Sequence, residues 1–436
     1  MPTRRVIPIA ASRASWSHDS VKLTLGSAFA VATLASASWA QHSEHQHAPE
    51  PKGPTLFQSD MALMAGMTPR DPMADMKMAG WSWMVMGVAR IVFNDQGGPS
   101  GATVGESTNW NMVMGHHDLG PGRLTLMMMN SLEPATLHDD GSPQLFQTGE
   151  AFQGRPLVDR QHAHDFFMNL SATWRWPFGA EAAVWIQAAP VGDPALGPTA
   201  FMHRASSGEN PASPLGHHWQ DSTHVTSSVV TLGGGWGSWA LEGSGFHGEE
   251  PDEHRWGIDG GGLDSYSGRL AYRGRGPWSA QVSYGRLEDP EQLEPGDLKR
   301  TTASIHYRAR GDGPIAASLI WGRNDEEHGV SDGLLLEGAY AVTGRDQVFA
   351  RTEYVEKNQT LLATKALPPE GEPVDLAAIR ALTLGYLRDL PYVGIGGDIT
   401  VYDYPSGLEG AYGEHPLAAH VFLRFRWSLG SHGGTH

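Results

Sequence analysis

The chain lacks several features that would each point to a particular function. None of its 436 residues is cysteine, which excludes disulfides and thiolate metal sites and leaves imidazole, thioether or carboxylate groups as metal ligands. After residue 40, no segment offers the run of about 18 or more apolar residues that a membrane-spanning helix needs. Positive charge is scarce, since 31 Lys and Arg face 48 Asp and Glu, for a formal net charge of -17. This balance argues against nucleic-acid binding and favours the attraction of cations.

Motifs of familiar enzymes are missing as well. The sequence contains no P-loop and no H-E-x-x-H. Ser222 lies close to His218 and Asp221, but closeness along the chain does not create the geometry of a nucleophile and its base. We therefore expect no enzyme, no catalytic residue and no required cofactor. An outer-membrane hydrolase is a disfavoured alternative.

The N-terminus carries an export signal. Four basic residues precede an apolar run at 23–34, and the small-residue stretch 35–40 follows it. This order is typical of a secretory signal peptide cleaved after Ala40. The sequence as a whole predicts four segments: a signal peptide (1–40), a His- and Met-rich periplasmic leader (41–80), a β-barrel (81–427) and a polar C-terminal tail (428–436).

The predicted barrel rests on a repeating pattern. Between 81 and 427, stretches of about ten residues alternate apolar with polar side chains, as in strands that cross a bilayer with alternate faces to lipid and lumen. The gaps between them are short and long in turn. The pattern predicts an all-β, transmembrane antiparallel β-barrel of about sixteen strands with long external loops, surrounded by bacterial outer-membrane lipid. Segments 224–235 and 299–309 fit poorly, so fourteen strands is the alternative, and a secreted soluble β-protein is the rival fold.

Three of the long gaps, at 133–163, 190–223 and 248–264, are expected to fold toward the lumen and narrow it. The first leads into His162, His164 and Asp165. In an extended chain the two imidazoles lie on one side, a common half-site for Cu(II) or Zn(II).

A second cluster of histidine and carboxylate lies at 214–224. If this segment is a helix with Ser213 as its N-cap, His217, Asp221 and His224 lie on one face and offer three ligands. A third acidic and His-containing run follows at 250–256. The alternative for all three is an architectural network, in which these groups bind one another and nearby arginines.

Methionine is concentrated in one part of the chain. Of 16 methionines, 14 lie between Met61 and Met168. Three pairs stand two residues apart, and residues at that spacing share one face of a strand: Met84 and Met86, Met112 and Met114, Met127 and Met129. The first and third pairs share their faces with Arg90 and Thr125, so we expect them in the lumen. The second shares its face with Trp110, so we expect it to touch lipid.

Methionine in these positions has two interpretations. Thioether sulfur is a soft ligand that suits Cu(I), but methionine also packs as a flexible apolar residue. The leader carries His42, His45 and His47 together with six further methionines. Because there is no core for the leader to fill, a metal-binding role is favoured there.

The loop residues also carry a resemblance. The blocks 157–165, 195–204, 217–224 and 250–256 resemble an uncharacterised bacterial family of outer-membrane barrel proteins that often accompanies copper and heavy-metal efflux systems. That family has no established activity, so no catalytic residue carries over. The His- and Met-rich leader loosely resembles the copper-resistance outer-membrane B proteins, but it lacks their dense Met-Asp-His repeats.

These observations favour an outer-membrane channel or metal-sequestering barrel in copper or heavy-metal tolerance. It would bind Cu(I) through methionine and Cu(II) or zinc through histidine. The rival is a porin for small organic solutes, in which the His-rich loops are architectural. A homotrimer is expected by analogy with sixteen-stranded porins.

Overall fold

The structure is a computed structural model that describes residues 77–78, 80–274, 276–309, 314–327, 329–368 and 374–429. The predicted signal peptide lies outside these ranges, as do His42, His45 and His47, nearly all of the leader, and residues 430–436 of the tail. Within them, sixteen long strands form a single antiparallel sheet, and a two-residue strand, Lys77–Met78, pairs with the start of the first.

The long strands are numbered here in chain order. They are β1 (Trp81–Gln96), β2 (Thr103–Leu119), β3 (Gly122–Asn130), β4 (Phe167–Phe178), β5 (Ala182–Gly192), β6 (Thr226–Trp236), β7 (Trp239–Phe246), β8 (Ser265–Arg273), β9 (Trp278–Leu287), β10 (Leu298–Arg308), β11 (Ile315–Glu326), β12 (Gly329–Ala341), β13 (Asp346–Asn358), β14 (Leu376–Asp389), β15 (Gly394–Asp403) and β16 (Leu417–Leu429).

The sheet closes into a barrel because its first and last strands pair. The register between β1 and β16 runs from Val85 opposite Leu429 to Gln96 opposite Ala418, and every other strand pairs with its neighbours in sequence. Closure leaves no exposed sheet edge. The prediction of a sixteen-strand antiparallel barrel is confirmed.

The two segments that fit the alternation poorly are also strands, and each has a local reason. In β6 the last residues before the tight turn include Gly233-Gly234-Gly235. The Trp185 ring fills the space beside Gly233, since a Cβ added there would lie 2.0 Å from its Cε2. In β10 the outward face begins with Lys299 and Thr301, so its apolar signal is weak.

Side chains alternate around the wall as the period-2 pattern requires. In β16, Val421 points outward with 60% of its surface exposed, while Phe422 and Arg424 point inward with 1% and 3% exposed. The exterior of the barrel is therefore largely apolar, with many exposed Leu, Ile, Val and aromatic residues, and the interior is largely polar.

The two ends of the barrel differ. Tight turns such as 120–121, 179–181 and 237–238 lie at the same end as both termini of the sheet, and Gly120 and Gly179 occupy them with positive φ, which glycine adopts without strain. The opposite end carries the longer connections, at 97–102, 131–166, 193–225, 247–264, 288–297, 359–375 and 404–416.

Two of these loops fold into the barrel. The 131–166 loop reaches β1, where Nδ2 of Asn94 donates to the carbonyl of Pro143 at 2.9 Å. The 193–225 loop reaches the far wall, where Nε1 of Trp219 donates to Oγ of Ser331 in β12 at 2.8 Å. The 247–264 loop differs from expectation, since most of its residues are exposed and it lies against the others at the barrel end.

None of the helices in the described ranges is long and apolar enough to cross a membrane.

Candidate functional site

The 193–225 loop is held inside the barrel by a buried ion-pair network. Nε of Arg204 lies 2.6 Å from Oε1 of Glu337 in β12, and Nη1 lies 2.5 Å from Oδ2 of Asp221. Burial alone would raise the pKa of Asp221, but Arg204 and His217 outweigh it and hold that pKa well below its usual range. Arg204 is 1% exposed, so its charge is balanced almost entirely by these carboxylates.

Arginines from three other strands hold the next part of the same loop. Nη2 of Arg351 in β13 donates to Oγ of Ser207 at 2.7 Å, and Arg90 in β1 donates to the carbonyl of Gly208. Nη1 of Arg424 in β16 lies 2.5 Å from Oε1 of Glu209. Contacts to several strands fix the position of this loop across the lumen.

Histidines predicted as ligands lie together in this region. The ring of His224 lies 5.3 Å from that of His164 and 5.2 Å from that of His217, measured between centroids. Nδ1 of His217 donates to Oδ1 of Asp221 at 2.7 Å, and Nδ1 of His224 donates to the carbonyl of the same residue at 2.8 Å. Burial lowers the pKa of both histidines, so both rings are neutral.

The predicted long helix here is wrong in its extent. The α-helix covers only His217–Gln220, with Gly216 rather than Ser213 as its N-cap, and a 3₁₀ turn covers Ser222–His224. Ser213 is buried and hydrogen-bonds to glutamines of the 131–166 loop. His217, Asp221 and His224 still come together, because the two short turns keep them adjacent.

The three residues of the predicted half-site at 162–165 each contact a different partner. His164 pairs with Glu133 (Nδ1 to Oε2, 2.7 Å), and Asp165 lies 3.2 Å from Nη1 of Arg255. Burial opposes the charge on His164, but Glu133 raises its pKa, and His164 in turn lowers the pKa of Glu133 against the effect of burial. This pair is therefore ionic.

His162 forms a neutral pair instead. Its Nδ1 donates to the carbonyl of Ala163 at 2.9 Å, so its Nε2 is free to accept, and Oε1 of Glu150 lies 2.6 Å away. Burial, with the negative charge of Glu250, raises the pKa of Glu150 to about 8. Burial also lowers the pKa of His162 well below its usual range. The proton thus resides on the carboxyl of Glu150, which donates to His162.

Six methionines form a compact array on the inner wall of β1, β2 and β3. Two rows of three run across these strands in direct register, one comprising Met84, Met114 and Met127 and the other Met86, Met112 and Met129. The rows pack with Met168, Phe201 and Met202 in one apolar cluster. The expectation that Met84, Met86, Met127 and Met129 face inward agrees with their positions.

The expectation that Met112 and Met114 touch lipid is wrong. Met112 is 0% exposed, and Trp110 also points inward, with its ring 4.7 Å from that of His203 in an edge-to-face contact. The assignment failed because it assumed a watery lumen. Here the 193–225 loop fills the lumen with apolar side chains, so an apolar inner face is favourable.

A cavity of about 120 Å³ lies beside this array. Its lining includes Met114, Met127, Met129, His203 and His224. Neither ring nitrogen of His203, nor Nε2 of His224, makes a hydrogen bond. Burial lowers the pKa of His203 to about 3, so the cavity presents neutral imidazole and thioether groups.

Sequence reasoning missed His203 and Glu150, because neither lies in a run with recognisable ligand spacing. Both acquire their neighbours only through loop folding. Ser222, considered above as a nucleophile, accepts a hydrogen bond from Nη1 of Arg300 in β10 at 2.7 Å.

Comparisons with known proteins bear on the fold. No protein-family model matches the sequence, and no curated protein matches it. Among solved structures, an anion-selective porin from Comamonas acidovorans is similar with a TM-score of 0.50 and 14% identity, over 80% of this chain and 100% of that one. The Salmonella typhi OmpF complex with daunomycin is similar with a TM-score of 0.51 and 10% identity, over 81% and 100%. The likeness shows a porin-like barrel fold.

Proposed function

We propose that the protein is a porin-type channel of a bacterial outer membrane, with a lumen narrowed by the 131–166 and 193–225 loops. The observation that carries the proposal is the closed sixteen-strand barrel with an apolar exterior and a polar interior. Such a wall satisfies every strand hydrogen bond inside a bilayer and leaves a polar route through it. The similarity to porins supports the class of protein, and at 14% identity it does not set the ion preference.

The barrel end that carries the long loops is acidic, and its charge favours the entry of cations. A cavity of about 130 Å³ lies there, and six acidic residues line it without any Lys or Arg among its described lining residues. They are Glu291, Glu294, Asp297, Glu326, Glu327 and Glu356. One of them, Asp297, pairs with Arg286 outside the lining, and burial among other carboxylates raises the pKa of Glu291 well above its usual range. Rings of acidic groups select cations in other channels, so small cations are the expected cargo.

Ion selectivity in planar bilayers tests this proposal. In a KCl gradient, the refolded mature chain should give discrete conductance steps and a reversal potential with the sign for potassium over chloride. The double variant Glu326→Gln and Glu327→Gln should lower that preference about two-fold or more, because it removes two lining charges. Glu414→Gln, an exposed loop carboxylate outside the cavity lining, is the matched control and should change nothing. Absence of steps, or anion preference, would contradict the proposal.

A second candidate function is handling of copper, and the methionine array favours it. Six thioethers, together with the neutral imidazoles of His203 and His224, form a donor set that suits Cu(I) better than hard cations. The ordinary packing role of methionine is the alternative. Transport rather than storage would require sites weak enough to release the ion.

Cu(I) titration against a competing chromogenic chelator separates these alternatives. Met127→Leu with Met129→Leu removes two sulfurs while nearly preserving volume, and should weaken binding at least ten-fold if the array is a site. Met128→Leu is the matched control, since Met128 lies between them on the outer face of β3. In every variant the leader histidines (His42, His45 and His47) are replaced by glutamine and its six methionines by leucine, so that the leader does not bind Cu(I). Equal affinity in both variants would leave packing as the role of the array.

A homotrimer remains a prediction, which native mass spectrometry of the detergent-solubilised protein tests. A single-subunit mass would contradict it.

A further inference from the structure

Three loops bring one histidine and two glutamates to a single point. Nε2 of His218 lies 3.5 Å from Oε1 of Glu150, and its Nδ1 lies 3.5 Å from Oε1 of Glu250. One ligand atom from each of the three residues falls within 4.8 Å of the others. His218 belongs to the 193–225 loop, Glu150 to the 131–166 loop and Glu250 to the 247–264 loop. No run of the sequence contains this set.

His218 is buried and lacks a hydrogen-bond partner. It is 3% exposed, and neither ring nitrogen makes a hydrogen bond of acceptable geometry. Leaving such a group unsatisfied in a buried position is unfavourable, so a ligand that satisfied it would be bound favourably. The ring is aimed between the two glutamates.

The surrounding backbone is shaped for this ring. Gly149 has a φ of +113°, and a Cβ added there would lie 2.6 Å from Cγ of His218. Any larger residue would be strained and would displace the imidazole. The loop that carries Glu250 is held by its own contact: the backbone N–H of Glu250 donates to the carbonyl of Pro290 at 3.0 Å.

A second histidine adjoins the site. Nε2 of His162 is 2.6 Å from Oε1 of Glu150, so it contacts one ligand, but it is not among the three residues whose ligand atoms lie within 4.8 Å of one another. One imidazole and two carboxylates are donors that Zn²⁺ and similar divalent transition metals accept, with water completing the coordination. Arg255 competes only partly, since its Nη2 lies 3.7 Å from Oε2 of Glu150.

We propose that Glu150, His218 and Glu250 form a binding site for a divalent transition metal ion such as Zn²⁺. The site does not rest on the proposed channel function. The site adjoins the acidic cavity among the long loops, because His218 also lines that cavity, and its acidic groups attract cations. A bound ion would tie the three loops together across the barrel mouth.

Zn²⁺ titration with a competing fluorescent chelator tests the proposal on the refolded mature chain. His42, His45 and His47 are replaced by glutamine, so that the leader histidines do not bind Zn²⁺. One site of micromolar or tighter affinity is expected. His218→Gln and Glu250→Gln should each weaken it at least ten-fold. His415→Gln and Glu414→Gln, adjacent exposed residues of the 404–416 loop, are the matched controls and should have no effect.

If His218→Gln folds poorly, the Glu250→Gln variant and Co²⁺ absorption test the same site. Glu250→Gln is isosteric, and its parent side chain is 20% exposed, so the fold should tolerate it. Co²⁺ in place of Zn²⁺ should give visible absorption bands that this variant loses. Unchanged affinity and spectrum in the Glu250 variant would overturn the proposal. Displacement of Zn²⁺ by an equal concentration of Ca²⁺ would overturn it too, because Ca²⁺ does not use imidazole.

Discussion

The two sides of the barrel lumen are built from opposite chemistries. On the wall of β1, β2 and β3, six methionines pack against Phe201 and Met202 of the inserted loop. On the wall of β12 and β13, Glu337 pairs with Arg204 of the same loop, and Arg351 donates a hydrogen bond to a serine of that loop. The loop is therefore held mainly by apolar packing on one side and by an ion pair and hydrogen bonds on the other. A side chain that faces the lumen is thus not necessarily in contact with water.

The largest loss of stability should come from removing a charge on the polar side of the lumen. Arg204→Met removes the cation that Asp221 and Glu337 share, and Glu337 keeps only the longer contact to Arg351. Removing one partner of a buried ion pair costs about 3–5 kcal/mol. Denaturant unfolding of the refolded barrel, followed by tryptophan fluorescence, measures the loss. Adding Glu337→Met should recover part of the stability, because an apolar pair replaces an unpaired charge. A fully stable single variant would show that the network does not hold the loop.

Truncating a methionine on the apolar side should lower the free energy of unfolding somewhat less. Met112→Ala opens a cavity at a site that is 0% exposed, and such truncations cost about 2–5 kcal/mol. Met128→Ala, on the outer face of the neighbouring strand, serves as the control and should cost much less in detergent. The same unfolding assay applies. Equal losses for the two variants would contradict the inward position of the array.

The ionic pair of His164 and Glu133 should give stability a pH dependence. The folded pKa of His164 is raised above 6.5, so its contribution is complete below pH 6.5 and is lost as pH rises through the higher folded value. The folded pKa of Glu133 is lowered below 4.5, so its contribution is present above pH 4.5 and is lost as pH falls further.

The contribution of this pair is therefore greatest between about pH 4.5 and 6.5. Unfolding midpoints measured across pH 4–9 with a chelator present should show this maximum. His164→Gln should flatten the alkaline side of the profile. An identical profile in the variant would mean that the pair is not ionic.

The smallest effect is expected at the exposed rim. Arg323 and Asp332 pair across β11 and β12 (Nη2 to Oδ2, 2.7 Å), but both are partly open to solvent. Exposed pairs contribute little because water screens them. Arg323→Gln should leave the unfolding midpoint within experimental error, in contrast to Arg204→Met. A loss comparable to that of Arg204→Met would remove the distinction between rim and lumen.

The wall could be predicted from sequence because strand alternation is a local property. Val421, Leu423 and Arg424 take their faces directly from the period of two. The strand count followed from the tight turns, of which Gly120 marks one. Even β6 and β10, the weakest segments, were placed within a few residues.

The contents of the lumen could not be predicted in the same way. Glu337 in β12 binds Arg204, which lies 133 residues earlier in the chain, and no spacing rule joins them. Met112 and Met114 were misplaced because their inward environment depends on which loop residues pack against them. The grouping of His162, His164, His217 and His224 was anticipated only as separate pairs, since loop folding unites them.

A crosslink between the 193–225 loop and the barrel wall tests whether this loop lies fixed inside the lumen. Oγ of Ser206 lies 2.6 Å from Oγ of Ser318 in β11, and the chain has no native cysteine to interfere. In the Ser206→Cys, Ser318→Cys variant, the account predicts a disulfide on mild oxidation, with the same small single-channel conductance before and after reduction. Failure to crosslink in the folded barrel, or a large rise in conductance on reduction, would contradict it.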